Sequence, residues 1–150
     1  MGRWYVIANI PYFGERDYVG SYVEYALRPD GDIDDFSIGH KGNFAAPADK
    51  KVLKDWVVKD SNNAEWRASP FWPLSFAYLI LYVDPGYRFA LIGYPGKSLG
   101  WVFARSPEVS AGTYRSLLTR FDAQGDDTTL FQRVPQTRAQ LGQPGFQSPP

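Results

Sequence analysis

The chain has no cysteine, which excludes disulfides, thiol nucleophiles and thiolate metal sites. Histidine and methionine occur once each. Neither sign of charge is in excess. Sixteen Lys and Arg face sixteen Asp and Glu, so the basic footprint of a nucleic-acid binder is missing. No apolar run is long enough to cross a bilayer as a helix. Met1-Gly2 is not a myristoylation signal, because Val6 stands where Ser or Thr is required. Aromatic residues are what the chain has in abundance, at 17%, and they recur within runs of β-formers. A length of 150 residues suits one domain with a real core.

The chain is organised around Tyr87 to Arg105. Tyr87–Gly93 and Leu99–Arg105 read as strands, and Tyr94-Pro95-Gly96-Lys97-Ser98 supplies the turn chemistry between them. Strand side chains alternate with period two, so Leu99, Trp101 and Phe103 share a face that Arg105 ends. A charge that continues an apolar stripe needs a partner, since burying it alone is costly. Gly2-Arg3-Trp4, at the other end of the sequence, offers one.

Gly2-x-Trp4 opening the first strand, Asp84 shortly before Tyr87 at a middle hairpin, and Arg105 closing a late strand before a helix together resemble the lipocalin family. The resemblance spans roughly residues 2 to 135 and is nearest the bacterial, lipoprotein-type branch. It implies an all-β fold: an eight-stranded antiparallel up-and-down barrel, a C-terminal α-helix packed outside, and a short ninth strand. It also implies that Gly2, Trp4, Asp84 and Arg105 belong to a closed end, with Arg105 across the Trp4 indole. Bacterial members usually carry a lipid-modified Cys just before the Gly-x-Trp. Here Met1 abuts the motif, so the anchor is expected to be absent or removed with its leader. The implied location is periplasmic or outer-membrane-associated.

In chain order, Trp4–Ile10 is a first strand ended by Pro11, with Val6, Ala8 and Ile10 on the Trp4 face, which is read as inward. Tyr12 and Phe13 either fold back on the core or form the lip of a pocket. Val19–Arg28 follows, with Ser21, Val23, Tyr25 and Leu27 inward and Gly20 suited to a bend or bulge. The register of Ile33–His40 is open: a bulge switches its faces, or polar groups point into the barrel. Lys51–Lys59 places Trp56 and Val58 inward, and Ala64–Ser69 places Trp66 and Ala68 inward. Phe76–Val83 is apolar throughout, with Tyr78, Ile80 and Tyr82 inside and Leu79, Leu81 and Val83 needing an outer cover. Ala90, Ile92, Leu99 and Trp101 complete the interior.

Ser110 is positioned to cap a helix running to about Ala123, stopped by Gly125. Its stripe of Tyr114, Leu117, Leu118 and Phe121 covers the barrel exterior. Thr128–Val134 reads as a last edge strand. The barrel domain is therefore assigned to residues 1–135, and the Pro-, Gln- and Gly-rich 136–150 to a mobile tail.

Catalytic signals are weak. Gly96-Lys97-Ser98 is no phosphate loop, because Leu91 replaces the required Gly and a strand follows. His40 is read as a solvated loop residue, for no nucleophile elbow exists to build a triad around it. Asp34-Asp35 and Asp126-Asp127 are read as surface charge, since strand neighbours point to opposite faces. No metal or cofactor is expected. Small residues at Ala8, Ser21, Ala68 and Ala90 leave room among the aromatics, favouring a cavity over a filled barrel. The expected function is non-catalytic carriage or storage of a small hydrophobic ligand, by resemblance a fatty acid or lysophospholipid. The alternatives are a protein- or membrane-binding module using Tyr12, Phe13, Phe71 and Trp72, or a lipid-acting enzyme on the same barrel.

Overall fold

Nine strands, one α-helix and two 3₁₀ turns make up the computed structural model, which describes residues 1–150. The strands are β1 (Gly2–Asn9), β2 (Tyr18–Leu27), β3 (Ile33–Lys41), β4 (Ala48–Val57), β5 (Glu65–Phe71), β6 (Leu74–Val83), β7 (Phe89–Gly93), β8 (Gly100–Ala104) and β9 (Gln132–Arg133). Each of the first eight pairs antiparallel with its sequence neighbours, and β1 pairs with both β2 and β8. Closure removes the unpaired edges that an open sheet would expose.

Two clusters divide the apolar residues. Trp4, Val6, Val23, Tyr25, Ile33, Ala90, Ile92 and Phe103 pack inside the barrel. Ile7, Ala8, Ile10, Leu91, Val102 and Ala104 pack outside it, beneath the helix α1 (Ala111–Asp122). Ser110 caps α1 by accepting from the Thr113 N–H at 3.1 Å. Leu117 and Phe121 are buried on the barrel, and Tyr114 and Leu118 flank them. Gly125, at φ +81°, takes the left-handed turn that ends the helical path. Gly100 is required by close approach, for a Cβ there would lie 2.6 Å from the Phe131 ring.

Bulges shift several faces from strict alternation. The β1–β8 register slips between Val6 and Ala8, so Ala8 and Ile10 turn outward under the helix rather than inward. A second slip between Ile80 and Tyr82 sends Tyr82 outside, where the Arg120 guanidinium lies 3.9 Å from its ring, and Val83 inside. Leu27, at the end of β2, is exposed.

The chain after α1 departs further from expectation. Thr128–Leu130 is a 3₁₀ turn, and only Gln132–Arg133 form the ninth strand, paired with Ala8 and Asn9. The β1–β2 ladder ends at Tyr5↔Tyr22, leaving backbone groups beyond it without sheet partners. Residues 134–136 fill that seam. The Val134 N–H donates to Ile7 O, the Gly20 N–H donates to Pro135 O, and Gln136 Nε2 donates to both Val6 O and Ser21 O. Beyond it, the chain returns to the barrel. Gln147 is buried with Nε2 donating to Asn9 Oδ1 at 2.6 Å, and Phe146 stacks under Arg133.

Candidate ligand-binding cavity

One end of the barrel is shut. The Arg105 guanidinium lies 3.7 Å from the Trp4 ring centroid. It donates to Arg3 O at 2.6 Å and Met1 O at 2.9 Å. Gly2 sits at φ +79°, where an L-side chain is strained, and a Cβ there would lie 3.5 Å from Arg105. Asp84 ties the neighbouring β6–β7 turn, accepting from the Arg88 side chain and from the Gly86 and Arg88 N–H groups. The Arg88 guanidinium, foremost, holds its carboxyl below the ordinary range.

Toward the other end the interior opens into a cavity of about 610 Å³, within the size range of small-molecule sites. Val6, Val23, Tyr25, Ala68, Tyr78, Leu99 and Trp101 line it, as the alternation of their strands suggests. Trp66, Ile80, Ala90 and Ile92 point inward but pack into the floor instead. Trp56 and Val58 are misplaced by sequence reasoning. Trp56 faces outward into a shallow groove with Val52, Phe71 and Trp72, and Val58 lies past the end of β4. Apolarity picks the wrong face of β4, because Leu53 and Asp55 are the residues that turn inward.

The same polar face continues on β3, where Ile33, Asp35 and Ser37 point in while Phe36 packs outside under Lys50. Asp35, read from sequence as surface charge, is 4% exposed and Asp55 is fully buried. Asp126 is buried too, beside Lys97 at 3.6 Å. Neither Asp55 oxygen has a hydrogen-bond partner, and Asp35 Oδ1 has none. Burial, the larger cause, and the neighbouring acids raise both carboxyls well above the ordinary range.

A third acid enters from the β1–β2 loop. Glu15 Oε2 accepts from Trp101 Nε1 at 2.7 Å and from Asn9 Nδ2 at 2.9 Å. Desolvation raises its pKa despite those bonds. The cause is burial, which outweighs the opposing pull of the Lys51 charge. Between Glu15 and Asp35 runs an aromatic wall. Trp101 stacks on Tyr78 at 6.1 Å, Tyr78 on Trp66 at 6.0 Å, and Trp66 meets Tyr25 edge-on at 5.7 Å. The Tyr25 and Tyr78 hydroxyls hydrogen-bond to each other. The three carboxyls form no cluster able to hold a metal ion.

The mouth is aromatic as well. Tyr12 and Phe13 line the cavity, while Phe71 at the end of β5 and Trp72 just after it lie over the outer groove beside Trp56; Phe13, Phe71 and Trp72 are 86%, 67% and 85% exposed. His40 Nδ1 lies 2.7 Å from Ala46 O, a loop contact away from the acids.

Comparison with known proteins agrees with this architecture. A family model described as a lipocalin-like domain matches residues 1–136. Temperature-induced lipocalin-1 of Arabidopsis thaliana is 32% identical over 145 residues, covering 91% of this chain and 77% of the relative. The outer membrane lipoprotein Blc of Escherichia coli is 26% identical over 136 residues, covering 91% and 76%. Among solved structures, lobster apocrustacyanin A1 superposes with a TM-score of 0.70 at 18% identity, covering 92% of this chain and 78% of that one.

Proposed function

The chain belongs to the lipocalin-like family, and we propose that it binds a single-chain lipid, a fatty acid or a lysophospholipid. The acyl chain lies inside the barrel and the head group at the mouth. The observation that carries this reading is the cavity itself: an apolar, aromatic chamber open at one end and sealed at the other by Trp4 and Arg105. Burial at about 25 cal/mol per Å² makes an acyl chain a favourable occupant. An anionic head has reason to stay outside, because Glu15 and Asp35 line the interior. The role is carriage or storage without catalysis. The similarity to a bacterial outer membrane lipoprotein supports a place at the cell envelope.

A chain-length series of fatty acids, followed by tryptophan emission, tests the reading. Trp101 lines the cavity and Trp66 packs beside it, so emission should change saturably at one ligand per chain. Each added CH₂ should tighten binding by up to about 0.8 kcal/mol until the chamber is full. Affinity that ignores chain length would show that the aromatic interior is not the site.

The exposed rim supports a second contact. Phe13 at the entrance and Phe71 and Trp72 at the tip of the β5–β6 hairpin are large exposed apolar side chains, suited to the interfacial layer of a membrane from which a lipid could be collected. Flotation with neutral liposomes, lost on Phe71→Ser with Trp72→Ser, is the expected outcome. Equal flotation of wild type and variant would refute it.

A further inference from the structure

The interior carries more acid than an apolar ligand requires. Asp35 lines the chamber with Oδ1 unpartnered, and Asp55 lies behind it with both oxygens unpartnered. The register pairs Asp35 with Leu53, so Asp55 is its diagonal neighbour two residues on, at a Cα separation of about 7–8 Å. Such groups persist in cores when something supplies donors to them. Nothing basic in the chain does. Lys51 is turned to the Gly14 carbonyl and the Tyr18 ring at the mouth.

We propose that the inner end of the chamber takes a protonated amine, so that the protein also binds a single-chain amphipathic amine head-first, with its nitrogen at Asp35 and its chain along the aromatic wall. The proposal rests on the barrel being a ligand site and extends it to a second ligand class. Two features converge on the cation. Asp35 offers a desolvated acceptor on the wall of an aromatic chamber, and Asp55 is a second acid behind it. A carboxylate head in the same place would meet acid on every side.

Binding of the amine expels a proton. The titratable groups facing Asp35 are Tyr12 and Glu15 from the β1–β2 loop, Tyr25 of β2, Asp55 of β4 and Tyr78 of β6, and none of them carries a positive charge. Burial keeps the Asp35 carboxyl protonated to higher pH than an ordinary one. An entering ammonium keeps its own proton, and the carboxyl releases its proton to solvent as the ion pair forms. No covalent bond between heavy atoms changes.

Decylamine, decanol and decanoate, compared below their aggregation thresholds by displacement of a neutral naphthalene probe, test this. Decanol reports the cavity alone. Decylamine should bind about tenfold or more tightly than decanol at neutral pH, with proton release in weakly buffered solution. Asp35→Asn, checked for folding by its thermal transition, should collapse the amine-to-alcohol ratio toward one and abolish the release. Decanol binding with no preference for the amine in wild type overturns the amine proposal alone, even if the variant does not fold. Failure of all three to bind overturns the cavity reading and this proposal together.

Discussion

Arg105 at the closed end and Asp35 inside the barrel are both ionisable side chains set against aromatic rings, and the fold treats them in opposite ways. Arg105 covers an indole, donates to the Met1, Arg3 and Tyr87 main-chain carbonyls and keeps contact with solvent. Asp35, on the chamber wall, and Asp55, behind it, are buried near Tyr25 and Tyr78 with oxygens left unpaired. The first arrangement is complete in itself and serves the fold. The second is incomplete, and a cost in free energy that the chain does not offset internally points to something bound.

The largest effect should come from the acids. Their folded pKa values are raised by burial, so the native state holds protons that the unfolded chain has already released. Stability from this pair is present at low pH and is lost as pH rises through the raised values. Asp35→Asn with Asp55→Asn should therefore gain stability over wild type, on the order of a few kcal/mol at alkaline pH and little near pH 4. Urea melts across pH measure this, and a difference that stays constant with pH would mean that the acids are not desolvated.

Arg105→Ala should destabilise by about 1–3 kcal/mol, since it uncovers the indole and leaves three carbonyls without their donor. Ligand affinity per folded molecule should hardly change. A urea midpoint equal to wild type would remove the contrast between the two ends.

Next in size, Ala68→Trp should weaken long chains more than short ones, because Ala68 lines the chamber. Ala90→Leu should instead overpack the floor, at about 1–3 kcal/mol of stability, without that chain-length signature. Equal chain-length profiles for the two variants would show that chamber and floor are not distinct.

The smallest effect is expected at the seam. Gln136→Ala removes one side-chain amide that serves Val6 O and Ser21 O, and should cost about 0.5–1.5 kcal/mol in thermal or urea unfolding. Hydrogen exchange at the neighbouring β1 and β2 amides should speed up locally. Unchanged exchange there would show that the tail does not secure the barrel.

Much of this architecture is legible in the residues alone. The order of strands and the capped helix with its Leu117 and Phe121 stripe follow from periodicity and turn chemistry, whereas the Trp4–Arg105 closure is implied by the resemblance of its motifs to lipocalins. Periodicity and turn chemistry are local or nearly local properties. What they cannot reveal is which face of a strand turns inward when the interior is itself polar. On β4, Trp56 and Val58 make the even face more apolar than the one bearing Leu53 and Asp55, yet the ladder with β3 and β5 turns the latter in. A single bulge likewise reverses Ala8, and another reverses Tyr82, because period two makes every one-residue slip exchange the two faces. The tail behaves similarly: its Pro and Gln content reads as solvated chain, but the gap between β1 and β2 presents carbonyls and amides that Pro135 and Gln136 satisfy. Residue order alone therefore sufficed for the strand count and the helix, and the motif resemblance supplied the shut end. Barrel closure was needed to gather Glu15, Asp35 and Asp55 into one interior, because residues brought together by sheet register leave no mark of their meeting along the chain.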